Sequence, residues 1–210
     1  MLITQNEIRT NPRSISKVIN DQIALFSTDG DRILKRPGRT NLITKEGRRP
    51  WYEAKALLDR QSPLQPLEWS DGLALAAEDH CKDQGSSGTK SHRGSSGTQV
   101  WNRLRLYGSY TGSVGENIIT GEKTGSEYMI EMYVDDGTES REHRKAMSNP
   151  VYKMIGIARC KHNSREKFMV VAVYASNFEI NEHGKREIQR RKNGLTAFTT
   201  TGSPQPIINT

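Results

Sequence analysis

The residues of this chain whose types suggest chemistry are two histidines and a glutamate. His92 lies in the run Ser91-His92-Arg93-Gly94, Glu116 follows Gly115, and His143 lies downstream of the run Asp135-Asp136-Gly137. Imidazole nitrogens and carboxylate oxygens can hold a divalent ion such as zinc, and they can also act as general acids and bases. Solvated or hydrogen-bonded histidines with a structural role are the alternative interpretation.

The sequence lacks the short motifs that would fix one chemistry, since it has no HExxH, no GxSxG, no Walker loop and no DxDxDG calcium loop. Glu116 has a structural alternative, because a buried glutamate in a tight Gly-Glu-Asn turn can accept backbone N–H groups. The run Asp135-Asp136-Gly137 is by itself an ordinary turn, and its carboxylates could pair with Arg144. Spacing alone therefore does not separate a reactive site from a structural one.

Helices are predicted along most of the chain, and a strand hairpin near its end. The predicted helix starts are Asn11-Pro12, residue 51, Ser70, residue 99, the Thr124–Glu127 capping box, and Ser140 just before His143. The helix from Ser70 is expected to end at Gly85 and to carry His80 on its core face. Apolar, β-branched residues over 153–160 and 168–177 predict paired strands. Helices followed by a hairpin fit an α+β layer arrangement.

The formal net charge of +7 lies entirely in the two ends of the chain. Residues 1–60 contribute +5, residues 61–178 contribute zero, and residues 179–210 contribute +2. Residues 27–50 are predicted to form a long basic loop, whose cations include Arg32, Lys35, Arg36, Arg39, Arg48 and Arg49. Basic flanks around a neutral centre favour an acidic partner surface, and a solvated surface without a partner is the alternative.

Composition and cysteine content restrict the class of protein. Hydrophobic residues make up 33% of the chain, and no run approaches the roughly 18 apolar residues that a membrane span needs. The first residues lack the basic and apolar regions of a secretory signal. Cys81 and Cys160 are expected to be reduced thiols, with a single disulfide as the alternative. The side chains of His162 and His183 are expected to be exposed to solvent.

Several sequence pieces occur in the order found in one known family. They are Leu67–His80, Ser91–Gly94, Arg103–Gly108, Gly115–Ile118, Val134–Gly137, Ser140–Arg144 and Gly156–Ala158. Together they resemble the CAP superfamily (cysteine-rich secretory, antigen 5 and pathogenesis-related proteins), and most closely its microbial and protist branch with a DDG…HR signature. Asn6–Pro12 is similar to that branch's N-terminal helix motif. The resemblance covers residues from about 5 to 178.

The resemblance implies a three-layer α-β-α sandwich with a small antiparallel sheet over residues 1–178, followed by a basic, polar tail over 179–210. It also implies a cleft with two histidines and two acidic residues, and in some members the histidine pair binds zinc. His92, Glu116 and His143 match these positions, so His92 and His143 are the candidate zinc ligands. Asp136 is chosen as the second acidic residue, with Asp135 as the next choice.

The sequence departs from the branch pattern beside both histidines. Ser91 and Glu142 stand where the branch usually has glycine, and Glu142 adds bulk and charge next to His143. Ser95-Ser96-Gly97 replaces an Asp-Gly pair, and Lys145-Ala146-Met147 replaces an expected Asn-Ile pair. The departures predict that the scaffold is kept while the metal or active site is altered.

The leading functional expectation is a non-catalytic CAP-domain protein inside the cell, in the cytoplasm, the cytoskeleton or a cilium. It would join a larger assembly with an acidic surface through residues 27–50 and the tail, and no cofactor is expected. The first alternative is an extracellular protein that binds zinc and a lipid or sterol. The second is a metal-dependent hydrolase with Glu116 or Asp136 as the base. Nucleic-acid binding is disfavoured, because no RNA- or DNA-binding motif is present.

Overall fold

The computed structural model describes residues 1–28 and 30–200, with side chains through residue 193. The polar end predicted over residues 201–210 lies outside the described residues. In chain order the elements are α1 Leu2–Thr10, α2 Pro12–Ile23, β1 Ile33–Leu34, β2 Leu42–Ile43, α3 Arg49–Arg60, β3 Glu68–Trp69, α4 Asp71–Ser87, α5 Val100–Tyr107, β4 Gly108–Thr120, α6 Gly125–Val134, α7 Glu142–Met147, β5 Met154–Lys161, β6 Phe168–Ile180 and α8 Glu182–Thr200.

The central sheet has the strand order β3-β5-β6-β4, in which β4, β6 and β5 are antiparallel and β3 runs parallel to β5. Successive side chains of a strand point to opposite faces, and the residues of β6 are apolar on both. Val170 and Tyr174 join the cluster formed with α1, α2, α3, α6 and α7. Val171 and Val173 join the cluster formed with α4 and α5. The chain therefore folds as a three-layer α-β-α sandwich, as expected.

The predicted hairpin and the predicted capping box are both confirmed. β5 pairs antiparallel with β6, and Thr124 and Glu127 bond reciprocally at the start of α6. The prediction that the helix from Ser70 ends at Gly85 is wrong, and the close contact of α4 with β5 explains the glycine at this position. A Cβ atom there would lie 2.3 Å from the Lys161 carbonyl oxygen. The helix instead ends at Gly88, which has the left-handed φ of 70° typical of a helix C-cap.

Three local expectations are wrong. Cys81 and Cys160 are not free thiols but form a disulfide across 79 residues, because α4 packs directly on β5. His162 is buried, and its ring is within hydrogen-bond distance of the Thr89 carbonyl and the Ser164 hydroxyl. Ser140 does not cap α7; Arg141 occupies the N-cap position and makes no side-chain cap bond.

The C-terminal helix α8 packs on the sandwich. His183 is exposed, as expected, and its ring stacks on Tyr107 with 5.7 Å between centroids. Arg191 forms an ion pair with Glu78 of α4. The basic helical fragment predicted near residues 183–192 is thus a helix in contact with α4 and α5. None of the described helices combines the length and apolar character that crossing a membrane requires.

Candidate functional site

The three candidate residues come from three different elements. His92 lies in the loop between α4 and α5 and is 59% exposed, whereas the Glu116 side chain on β4 is 3% exposed. His143 lies near the start of α7, and its side chain is 18% exposed. The tight turn expected around Glu116 is wrong, because residues 115–118 lie inside β4 and pair with β6.

The first His–carboxylate pair joins His92 to Glu116. The Nδ1 atom of His92 lies 3.0 Å from Oε1 of Glu116. Arg103 donates to the other carboxylate oxygen and is itself buried, so Glu116 accepts from side chains rather than from backbone N–H groups. A buried carboxylate needs such a partner, because an isolated charge is costly to remove from water.

His80 of α4 lies next to the first pair. Its Nε2 lies 2.7 Å from the Ser91 carbonyl and 3.7 Å from Oε1 of Glu116. Desolvation lowers the pKa of His80, although the Glu116 charge acts in the opposite direction. His80 is a buried residue, as expected, and it fixes the backbone next to His92.

The second pair joins His143 to Asp135, which corrects the choice of Asp136. Oδ1 of Asp135 lies 2.7 Å from Nδ1 of His143, and Oδ2 accepts the backbone N–H of the same residue at 2.9 Å. Burial would raise the pKa of Asp135, but the hydrogen bonds and charge of His143 outweigh it, so the pKa is lowered. Neither aspartate makes an ion pair with Arg144, whose guanidinium donates to backbone carbonyls of Pro50, Tyr133 and Val134.

Asp136 instead anchors the segment predicted as a basic loop, residues 27–50, which we call the insertion. Its carboxylate accepts the backbone N–H groups of Lys45 and Glu46, at 2.6 and 2.8 Å. Arg141 adds a second anchor by pairing with Glu46 at 2.6 Å and with Glu53 of α3 at 2.8 Å. The insertion is therefore attached to the turn that carries the second pair.

The second pair lies in a cavity of about 240 Å³. Its lining residues include Lys45, Trp51, Lys90, Ile118, Asp135 and His143, and neither His92 nor Glu116 is among them. The two pairs are linked through the strand, because Asn117 follows Glu116 and donates to the His143 carbonyl at 3.1 Å. Within the described residues, no group of three or more His, Cys, Asp or Glu side chains is arranged to hold a metal ion.

The family assignment follows from the sequence as a whole. Residues 4–174 match the model of the CAP family, the cysteine-rich secretory protein family. The chain belongs to the CAP family. The resemblance inferred from the motifs is thereby confirmed.

This CAP domain is similar to two solved structures. One is an outer surface protein from Borrelia burgdorferi, with 20% identity and a TM-score of 0.45 over 53% of this chain and 78% of that chain. The other is an extracellular protein with an SCP domain from Bacillus anthracis, with 22% identity and a TM-score of 0.41. The match covers 53% of this chain and 34% of that one. No curated protein matches the sequence.

Two of the residues that depart from the CAP pattern, Ser91 and Glu142, make local contacts of their own. Ser91 offers its carbonyl to His80 and its hydroxyl to the backbone N–H of Arg93. The Glu142 carboxylate pairs with Lys145 at 3.0 Å, and both side chains are exposed. Glu142 therefore lies outside the contact between His143 and Asp135.

Sequence reasoning missed several residues of the CAP site. Arg103 neutralises Glu116, Asn117 links the two pairs, and Lys45, Trp51 and Lys90 line the cavity. A usable signal existed for Arg103, because it lies inside a family motif and on a helix that precedes β4. None existed for the lysines, because loop lysines are ordinarily solvated.

Proposed function

We propose that this chain is a non-catalytic CAP-family protein that acts as a binding component of a larger intracellular assembly. It would meet an acidic partner surface through the insertion and the basic C-terminal segment. The observation that carries this proposal is the anchored insertion, which presents exposed cations on a fixed surface. Arg32 and Lys35 are exposed, and neither forms an ion pair with any described residue.

Anchoring matters because binding costs less when the binding residues are already ordered. The insertion forms a short hairpin of β1 and β2, and Asp136 and Arg141 hold its far end. The same hairpin exposes Ile43, which is 76% accessible. Cations next to an exposed apolar side chain form the kind of surface that protein partners use.

The environment of the two carboxylates supports a non-catalytic role. Glu116 is engaged by Arg103 and His92, and both oxygens of Asp136 accept backbone N–H groups. A general base must lie within hydrogen-bond reach of the proton that it removes. In both residues named in the hydrolase hypothesis, each carboxylate oxygen already contacts a donor of the protein, which restricts how a substrate proton could approach it.

Co-sedimentation with an acidic polymer tests the proposal. Full-length protein is mixed with a microtubule lattice, and binding is followed as the salt concentration rises. The double variant Arg32→Gln/Lys35→Gln is expected to bind more weakly and with a flatter salt dependence. The matched control is Lys153→Gln/Arg165→Gln, which removes the same charge from exposed positions outside the insertion. Equal loss in both variants, or no binding by the unaltered protein, would count against the proposal.

A second candidate is an extracellular protein that binds zinc and a lipid or sterol. The Cys81–Cys160 disulfide favours it, because disulfides persist mainly in oxidising compartments. In both cleft histidines Nδ1 contacts a carboxylate, an arrangement that orients Nε2 toward metals in many proteins. The donors therefore suit zinc in type. Two nitrogens are fewer than the three or four protein ligands of ordinary zinc sites.

Two measurements separate the candidates. Mass spectrometry of alkylated native protein reports whether the cysteines are paired, and elemental analysis reports bound zinc. One zinc per chain that is lost in His92→Ala/His143→Ala, together with a paired disulfide, would favour the extracellular protein. Free thiols and no zinc, with salt-sensitive binding to the acidic polymer, would favour the assembly component.

A further inference from the structure

The cavity beside the second pair is built partly by the insertion. Residues Leu42 to Lys45 form one wall, and Ile118, Met132 and Val134 provide apolar lining. Its volume of about 240 Å³ is below the roughly 300–1,000 Å³ of sites for drug-sized ligands. A compact molecule with a short apolar part would fit this space.

Three residues that line the cavity carry donors with no hydrogen-bond partner among the described residues. Lys45 and Lys90 line it from two separate segments, both are exposed to solvent, and neither ammonium group forms a hydrogen bond or ion pair with the described residues. The Trp51 side chain also lines the cavity and is 2% exposed, and its buried Nε1 has no hydrogen-bond partner in the described part of the chain. Buried indole N–H groups normally have an acceptor, and Trp51 borders both this cavity and a smaller one beside Leu34, so an acceptor bound in either would satisfy it.

Most acceptors around the cavity are already engaged. Asp135 accepts two hydrogen bonds from His143, and Asp136 accepts two from the backbone of the insertion. Glu131 lies 3.3 Å from Lys123. Glu166 is exposed and is the remaining carboxylate of the lining. A ligand that complements the unpaired groups would therefore supply oxygens that accept hydrogen bonds.

We propose that this cavity binds a small organic anion, with its carboxylate or phosphate head between Lys45 and Lys90 and its short apolar body on the side of Ile118 and Met132. The site is separate from the surface proposed for the assembly partner, because Arg32 and Lys35 do not line the cavity. Failure of one proposal therefore leaves the other standing. The insertion would then have two roles. Its exposed cations would contact the assembly partner, and residues Leu42 to Lys45 would form a wall of the anion site.

Titration calorimetry of the full chain with three probes tests the site. Hexanoate and hexyl phosphate carry the two kinds of head on the same apolar body, and 1-hexanol has that body without charge. Lys45→Gln and Lys90→Gln are each expected to weaken anion binding about tenfold, because each removes a charge-assisted hydrogen bond to the anion. The matched control is Lys35→Gln, which removes an exposed lysine of the same insertion from outside the cavity.

Binding of either anion that depends on Lys45 and Lys90 but not on Lys35 would support the site. The tighter of the two probes then identifies whether the natural head is a carboxylate or a phosphate. The proposal is overturned if neither anion binds at millimolar concentration, or if 1-hexanol binds as tightly as hexanoate. It is also overturned if Lys35→Gln weakens binding as much as Lys90→Gln does. Unchanged far-ultraviolet circular dichroism of each variant checks that the fold is intact.

Discussion

The two His–carboxylate pairs are alike in composition and different in construction. In the first pair, the buried Glu116 is balanced by Arg103, and its histidine stands exposed in a loop. In the second pair, Asp135 bonds both the ring and the backbone of His143, and the adjacent Asp136 anchors the insertion. The buried charge of Glu116 is thus balanced by a neighbouring side chain, whereas Asp135 is held by the ring and the backbone N–H of His143, eight residues further along the chain. The difference teaches that two pairs of the same residue types can be held in place by different kinds of interaction.

The largest expected effect comes from removing the cation of the first pair. Arg103→Met leaves Glu116 buried without its partner, and breaking a buried ion pair in this way costs about 3–5 kcal/mol of the free energy of unfolding. Urea unfolding measures the loss. The double variant Arg103→Met/Glu116→Gln is expected to recover part of it, because the uncompensated charge is gone. A loss below about 1 kcal/mol in the single variant would contradict the conclusion that Arg103 balances the buried charge of Glu116.

Reduction of the disulfide is expected to have the next largest effect and to act on the first pair. The disulfide joins α4 to β5, and α4 leads into the loop that carries His92. Its loss should lower the free energy of unfolding by about 2–5 kcal/mol. Histidine NMR signals should shift more for His92 than for His143. A Cys160→Ser control should be insensitive to reductant, and an unchanged unfolding midpoint after full reduction of the unaltered protein would speak against this prediction.

A smaller effect is expected from Asp135→Asn in the second pair. Asparagine tolerates the left-handed φ of 60° at this position, and its side-chain oxygen can still accept one hydrogen bond from His143. Loss of the charge should cost about 1–2 kcal/mol, measured by urea unfolding at neutral pH. Asp21→Asn, at an exposed position, is the matched control. A cost as large as that of Arg103→Met would mean that the two pairs are built alike.

The smallest expected effect is a pH dependence that belongs to the first pair. Desolvation lowers the pKa of His80 in the folded protein, so the unfolded chain takes up this proton more readily. The stability contributed by neutral His80 is therefore present above the unfolded value of about 6.5 and is lost as the pH falls through the folded value. Unfolding free energies at pH 7.5 and 5.5 measure the loss. His80→Gln should reduce the difference, whereas His183→Gln, at an exposed position, should leave it intact.

Local sequence patterns determined much of the fold of this protein. The Thr124–Glu127 capping box, the helix that begins after Ser70 and the β5–β6 hairpin depend on contacts between residues that are close in the chain. Such contacts leave a periodic or positional mark that can be read directly. The ordered family motifs supplied the three-layer architecture and brought His92, Glu116 and His143 into consideration.

Only the tertiary structure decided which partners these residues take. The choice of Asp135 over Asp136 depends on how the turn after α6 bends, and both residues look equivalent in the sequence. The pairing of Cys81 with Cys160 depends on the packing of α4 against β5. The insertion was read as a loop because its anchors, Asp136 and Arg141, lie about 90 residues further along the chain. Contacts over such separations are set by the packing of whole layers, which leaves no periodic signal in the sequence.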